Sequence, residues 1–158
     1  MEEIKRMQNN LLLIRRAIGW TATELGDQIG VTRQTINNIE SGRNKLTKTQ
    51  YIAMRSVIDA ETIKHPEETE MIKILLDMLV DHPEKYTEKE CNSLLEKANL
   101  LTPSILAGTA TREIVSKEWI KTASSIAGIT LTSLVSSPFV VKTVSDWLTK
   151  AIQSNKKK

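Results

Sequence analysis

The chain has 158 residues, of which 40% are apolar, 4% aromatic and 26% charged, and its formal net charge is +3. This length allows one domain or a small domain with an extension, and the apolar share allows a largely aliphatic core. The single cysteine, Cys91, excludes an internal disulfide and favours a reducing, cytosolic environment. The N-terminal residues do not have the pattern of a signal peptide.

The charge is distributed unevenly along the chain. Residues 1–60 hold nine basic and six acidic residues, residues 61–110 hold five and ten, and residues 111–158 hold eight and three. Nucleic-acid contact is therefore expected at the basic ends and not in the acidic middle.

The first three predicted helices lie within residues 2–40. Apolar residues at near-helical spacing predict helix 1 over residues 2–18. Thr21, with Glu24 three residues later, predicts a capping box at the start of helix 2. Gly30 provides the positive φ of a sharp turn, and Thr32 is the expected N-cap of helix 3.

Helix 3 has an unusual outward face. Ile36 and Ile39 are expected to point inward, which leaves a polar face made of Arg33, Gln34, Asn37 and Asn38. An arginine pairs with guanine, and Asn or Gln with adenine, through two hydrogen bonds each in the major groove. The pattern therefore predicts a helix that reads base edges.

The spacing of the small and apolar residues in this region resembles that of the Xre/Cro-like helix-turn-helix family, which has the lambda-repressor-like DNA-binding domain. The resemblance covers about residues 7–60. It rests on Leu11, Ile14, Gly19, Leu25, Gly26, Ile29, Gly30, Val31, Ile36 and Ile39. It implies an all-α fold that binds double-stranded DNA.

The resemblance also implies roles for particular residues. In the family an arginine of helix 1 pairs with a glutamate that closes helix 3, and Arg15 and Glu40 hold these positions here. Many members begin helix 2 with a phosphate-binding Gln, whereas this chain has Ala22. The expected base-reading residues are Arg33, Gln34, Asn38 and Asn37. The expected phosphate-binding residues are Thr21, Thr23, Thr32, Thr35, Arg43, Asn44, Lys45 and Lys48.

The last four of these phosphate-binding residues cluster between helices 3 and 4. An ordinary solvated charge run is the alternative interpretation of this cluster. Since a base-reading module needs phosphate contacts to fix its register, the phosphate clamp is the favoured interpretation.

Further helices are predicted along the rest of the chain. Thr47 and Gln50 form a capping box for helix 4, which should end near Asp59. A helix buried on two sides is predicted from Glu67 to Asp81. Later helix starts are expected at Thr87, Thr102-Pro103, Thr111 and Ser137-Pro138. The predicted organisation is a DNA-binding domain at residues 1–64, a helical C-terminal region at 67–153 and a basic tail at 154–158.

Residues 122–141 carry no charge, which raises the possibility of a membrane span. The stretch also contains eight Ser or Thr residues together with Gly128 and Pro138, which dilute its apolar character. A buried helical pair or an oligomer contact is therefore favoured over membrane insertion.

Catalytic and metal-binding chemistry is not expected. Neither His65 nor His82 has partners at ligand spacing, and Cys91 falls on an apolar stripe. The sequence has no catalytic triad and no Gly-rich phosphate loop. Ala107-Gly108 resembles the cleavage site of self-cleaving repressors, but too few residues follow for their β-rich domain. No enzyme activity, cofactor or metal is predicted.

The sequence therefore predicts an all-α transcriptional regulator that binds double-stranded DNA, acts as a repressor and forms a homodimer through its C-terminal region. A cytoplasmic protein, encoded by a prokaryote or a phage, is expected. Two alternatives remain: an antitoxin or adaptor whose C-terminal half binds a protein partner, and a membrane-tethered regulator.

Overall fold

The computed structural model describes residues 1–127 and 147–153, and all regular structure in these residues is helical. The predicted all-α fold is therefore confirmed. The α-helices are α1 (Glu2–Ile18), α2 (Ala22–Ile29), α3 (Arg33–Glu40), α4 (Lys48–Lys64), α5 (Glu70–Leu76), α6 (Glu88–Leu101), α7 (Pro103–Leu106) and α8 (Arg112–Ala127). A π-helical turn (Asp77–Asp81) continues α5, a 3₁₀ turn (Pro83–Lys85) follows it, and residues 147–153 are helical.

Threonine caps determine where many of the helices begin. The side chains of Thr21, Thr32, Thr47 and Thr87 each accept a hydrogen bond from the backbone N–H three residues later. Such a bond satisfies one of the free N–H groups at a helix start. The capping box predicted at Thr47 is complete, and the Thr21 half of the box predicted at the start of α2 is present. The helix start predicted at Thr87 also has a complete capping box.

Two predicted boundaries were wrong. Helix α4 continues to Lys64, beyond the expected end near Asp59, and the next helix begins at Glu70 instead of Glu67. Between them lies a turn in which the buried hydroxyl of Thr69 donates to the carbonyl of His65 at 2.7 Å. This local hydrogen bond favours a turn over an earlier helix start.

Helix α1 is the central support of the fold. Its buried residues Met7, Leu11 and Ile14 belong to one continuous apolar cluster that also contains Ile36 of α3 and Leu75 of α5. Since α1 packs against α3 and α4 and also against α5 and its π-helical turn, it connects both parts of the chain. The division into separate domains at residue 64 stays a prediction.

Polar contacts also join the later helices to the first four. Arg112 donates to Glu61 at 2.8 Å, to Glu68 at 2.6 Å and to the carbonyl of Ile18 at 3.2 Å. This arginine therefore fixes the start of α8 against the ends of α1 and α4.

The described residues bear on the membrane question only in part. No helix within residues 1–127 or 147–153 combines the length and the apolar character needed to cross a bilayer. Most of the uncharged stretch, the predicted helix start at Ser137-Pro138 and the basic tail lie outside the described residues.

Candidate nucleic-acid interface

The turn between α2 and α3 brings these two helices very close together. Gly30 has a φ of +78°, and the N–H of Val31 donates to the carbonyl of Gly26 at 2.9 Å. A Cβ atom added to Gly26 would lie 2.6 Å from the carbonyl oxygen of Val31. Because real Cβ atoms do not approach an oxygen so closely, this position requires glycine.

Helix α3 presents the polar face that the sequence predicts. Ile36 and Ile39 are buried, while Arg33 and Gln34 are exposed, and Asn37 and Asn38 are half-buried at the edge of the same surface. The apolar side of α3 is thus held against α1, and its guanidinium and amide groups remain at the surface.

Two of the predicted base-reading side chains are bonded to each other. Nε2 of Gln34 donates to Oδ1 of Asn38 at 3.1 Å, across one helical turn. This bond uses one donor and one acceptor, so each amide keeps its other polar atom for a ligand. The bond orients the two amides relative to each other, so a ligand that contacted both would pay a smaller entropy cost.

The predicted phosphate-binding threonines surround the helix starts. Thr21 and Thr32 are exposed caps, Thr23 is exposed, and Oγ1 of Thr32 lies 3.0 Å from Oγ1 of the half-buried Thr35. In a cap the hydroxyl oxygen accepts a backbone N–H, which leaves the hydroxyl hydrogen of Thr21 available for donation. The hydroxyl hydrogen of Thr32 is available when Thr35 is the donor in the bond between the two hydroxyls. Helix starts also attract anions through their backbone dipoles.

The predicted basic cluster lies in the connection from α3 to α4. Arg43, Asn44 and Lys45 are exposed, and Lys48 is half-buried at the first residue of α4. The preceding Gly42 has a φ of +80°, which allows the sharp exit from α3. These side chains follow the polar face of α3 directly, so both sets of predicted contacts occupy neighbouring segments.

The predicted ion pair between α1 and α3 is present. Nε of Arg15 donates to Oε1 of Glu40 at 2.5 Å, and Nη2 of Arg15 donates to Oε2 of Glu40 at 3.1 Å. Arg15 also donates to the carbonyl of Trp20 at 2.9 Å. The pair locks the end of α3 to α1 and neutralises the only acidic residue of α3.

The sequence interpretation missed Gln8, which is half-buried on α1 and binds the connection from α3 to α4. Its spacing is a usable signal, because Gln8, Leu11 and Arg15 are separated by three and four residues and share one helix face. An amide on the same helix face as the predicted pairing residue Arg15 could have indicated a second polar contact between α1 and the end of α3.

Other residues that were considered for chemistry lie apart from this surface. Cys91 is half-buried on α6, and burial raises the pKa of its thiol, so the reactive thiolate is disfavoured. Within the described part of the chain, no group of three His, Cys, Asp or Glu residues could hold a metal ion.

Comparison with known proteins gives one match. Residues 11–62 match the family model described as Helix-turn-helix, which supports a DNA-binding regulator of all-α fold over that segment. No curated protein matches the chain. No solved structure matches it either.

Proposed function

We propose, from the match of residues 11–62 to the helix-turn-helix family model, that this protein is a sequence-specific transcriptional repressor. It binds double-stranded DNA as a dimer, with α3 of each subunit in the major groove. The proposed location is the cytoplasm, in association with DNA, for a protein that a prokaryote or a phage encodes.

The observation that carries this proposal is the polar face of α3, which the packing of the helix holds at the surface. The helix is fixed from behind by the buried Ile36 and Ile39 and at its end by the Arg15–Glu40 pair. A helix that binds no ligand has no need of an outward face of arginine and amides, since Glu and Lys would serve to keep it soluble. Base recognition does require such a face, since a bidentate contact tolerates little error in position.

The proposed roles of the side chains follow from their chemistry. Arg33 pairs with a guanine, and the pre-oriented amides of Gln34 and Asn38 contact adenine. Asn37 and Thr35 contact bases or phosphates at the edge of the groove.

A second set of residues holds the DNA backbone without reading its sequence. The basic residues Arg43, Lys45 and Lys48, together with Asn44, bind phosphates on one side of the groove. The threonines at positions 21, 23 and 32 donate their hydroxyl hydrogens to phosphates near the helix starts.

Dimerisation is proposed for the C-terminal helical region. Small helix-turn-helix modules bind half-sites about one helical turn apart, which places two copies on the same side of the DNA. Leu100 and Ile114 are 71% and 58% exposed, so this region offers apolar surface to a second copy. Sedimentation of the complex should give two chains per site, and one chain per site would contradict dimeric binding.

The proposal is tested by comparing Gln34→Ala with Lys45→Ala on a selected site and on random duplex. Gln34→Ala should weaken only the selected site, by about 1–3 kcal/mol, and relax the base preference at one position. Lys45→Ala should weaken both duplexes alike and reduce the salt dependence. Equal losses on both duplexes for Gln34→Ala would contradict its assignment to a base.

A further inference from the structure

The side chain of Gln8 forms three hydrogen bonds with the segment that leaves α3. Its Nε2 donates to the carbonyl of Ile39 at 2.9 Å and to that of Asn44 at 2.7 Å. Its Oε1 accepts the backbone N–H of Leu46 at 3.0 Å. One side chain of α1 thus bonds to backbone groups on both sides of the turn.

Only a carboxamide on a side chain of this length satisfies these three groups. The two carbonyls accept from the two hydrogens of one nitrogen, and the N–H needs an acceptor oxygen on the carbon that carries this nitrogen, which is the arrangement of an amide. Glutamate would place a negative charge against two carbonyl oxygens, and asparagine is one methylene shorter. Methionine matches the length but provides no comparable donor or acceptor.

The bonds of Gln8 bracket one particular residue. The carbonyl of Asn44 and the N–H of Leu46 are the backbone groups immediately before and after Lys45. The side chain of Leu46 is buried, whereas that of Lys45 is exposed. The peptide units around Lys45 are therefore tied to α1 while its ammonium group remains accessible.

The same side chain also reaches the last turn of α3. The carbonyl of Ile39 accepts from the N–H of Gly42 at 3.1 Å as well as from Gln8. The carbonyl of Asn38 accepts the N–H of Asn44 at 3.1 Å, which closes the turn. The side-chain amide of Gln8 thus holds both the end of the proposed reading helix and the proposed phosphate-binding segment against α1.

We propose that Gln8 is a positioning residue for DNA binding, which sets the distance between the phosphate contact of Lys45 and the bases read by α3. This inference rests on the proposed DNA-binding function. Gln8 touches no DNA; it acts by holding the backbone that presents Lys45. Losing it should therefore weaken binding to every sequence and leave the base preference unchanged.

The experiment uses the full chain with the substitutions Gln8→Met and Gln8→Glu. The control is Asn9→Asp, which adds the same charge as Gln8→Glu at an exposed position on the same helix. The affinity of each variant is measured on a selected duplex and a random duplex over a series of salt concentrations, at a temperature where each variant is folded.

Both Gln8 variants should lose about tenfold in affinity on both duplexes, the size expected for one misplaced charge-assisted phosphate contact. The slope of log affinity against log salt should become shallower by about 1, because one phosphate contact is lost. Asn9→Asp should differ from the wild-type protein by less than about twofold.

A readout without DNA tests the geometry separately. In hydrogen exchange, the Leu46 amide should exchange faster in Gln8→Met, which has no acceptor for it. It should stay protected in Gln8→Glu, whose carboxylate still accepts that bond. Unchanged Leu46 exchange in Gln8→Met would overturn the inference.

The binding outcomes separate this inference from the function on which it rests. If the wild-type protein binds no DNA, the proposed function fails and the inference fails with it. If it binds selectively but the Gln8 variants match Asn9→Asp, only the inference is overturned. Affinity lost on the selected duplex alone, with an unchanged salt slope, would also overturn it, because Gln8 would then act through base reading.

Discussion

The contact between Arg15 and Glu40 gives the sharpest prediction on stability. Arg15 is 8% exposed, and its guanidinium makes two hydrogen bonds to the Glu40 carboxylate and one to the carbonyl of Trp20. Replacing it by methionine keeps the length of the apolar stem but removes all three bonds. The Glu40 carboxylate, in a side chain that is 9% exposed, then loses its counterion.

An unpaired charge of this kind costs about 3–5 kcal/mol of unfolding free energy, so Arg15→Met should destabilise the protein by that amount. For a chain of this size the melting temperature should fall by roughly 10 °C. Glu40→Gln should cost less, about 1–3 kcal/mol, because the amide oxygen still accepts from the guanidinium.

The double variant Arg15→Met/Glu40→Gln has no stranded charge, so its loss should be smaller than the sum of the two single losses by more than about 1 kcal/mol. Urea denaturation of the four proteins measures this coupling. Arg16→Met, at the neighbouring half-exposed arginine, is the control and should change stability by no more than about 0.5 kcal/mol. Single losses that add to within about 0.5 kcal/mol would refute the claim that the pair locks α3 to α1.

Gly26→Ala should destabilise the fold by about 1–3 kcal/mol, because the added methyl group would lie 2.6 Å from the Val31 carbonyl oxygen. An unchanged unfolding free energy in urea denaturation would argue against this close crossing of α2 and α3. Burial raises the pKa of Asp59 from 3.8 to about 6, so its ionised form weakens the fold above pH 6, and this cost is relieved as the pH falls through that value. Between about pH 4 and 6, the unfolding free energy of Asp59→Asn should therefore vary less with pH than that of the wild-type protein, by up to about 3 kcal/mol. Equal pH profiles of the two proteins would contradict this assignment. Trp147→Phe removes the indole N–H that donates to Asp59 at 2.6 Å and lowers its pKa. The midpoint of the dependence of stability on pH should therefore move to higher pH, and an unchanged midpoint would count against that bond.

Much of the first part of the fold could be predicted because its signals are local. A threonine cap depends on residues only three positions apart, and the caps at Thr32, Thr47 and Thr87 formed as predicted. The pairing of Arg15 with Glu40 spans 25 residues and was predicted only through the family resemblance. The DNA-contact roles of the side chains on α3 stay predictions.

The contacts that were not predicted connect distant parts of the chain. Gln8 bonds to a carbonyl 36 residues away, and Trp147 bonds to a carboxylate 88 residues away. The helical spacing of Gln8 could mark it as a residue of one helix face, but it does not indicate the distant partner, because each side chain alone fits an ordinary helix. The π-helical turn after α5 was also missed, and its last residue, Asp81, pairs with the buried Arg55 of α4 at 2.8 Å. Whether such a segment forms a π-helical or an α-helical turn depends on tertiary packing more than on local propensity.

The central claim is that α3 presents a fixed face of arginine and amides to duplex DNA. A selection from randomised duplex oligonucleotides with the purified 158-residue chain, at moderate salt, tests it most directly. We expect enrichment of a site with two related half-sites about one helical turn apart, and loss of preference at one position per half-site in Gln34→Ala. A folded protein that enriches no sequence would contradict the account.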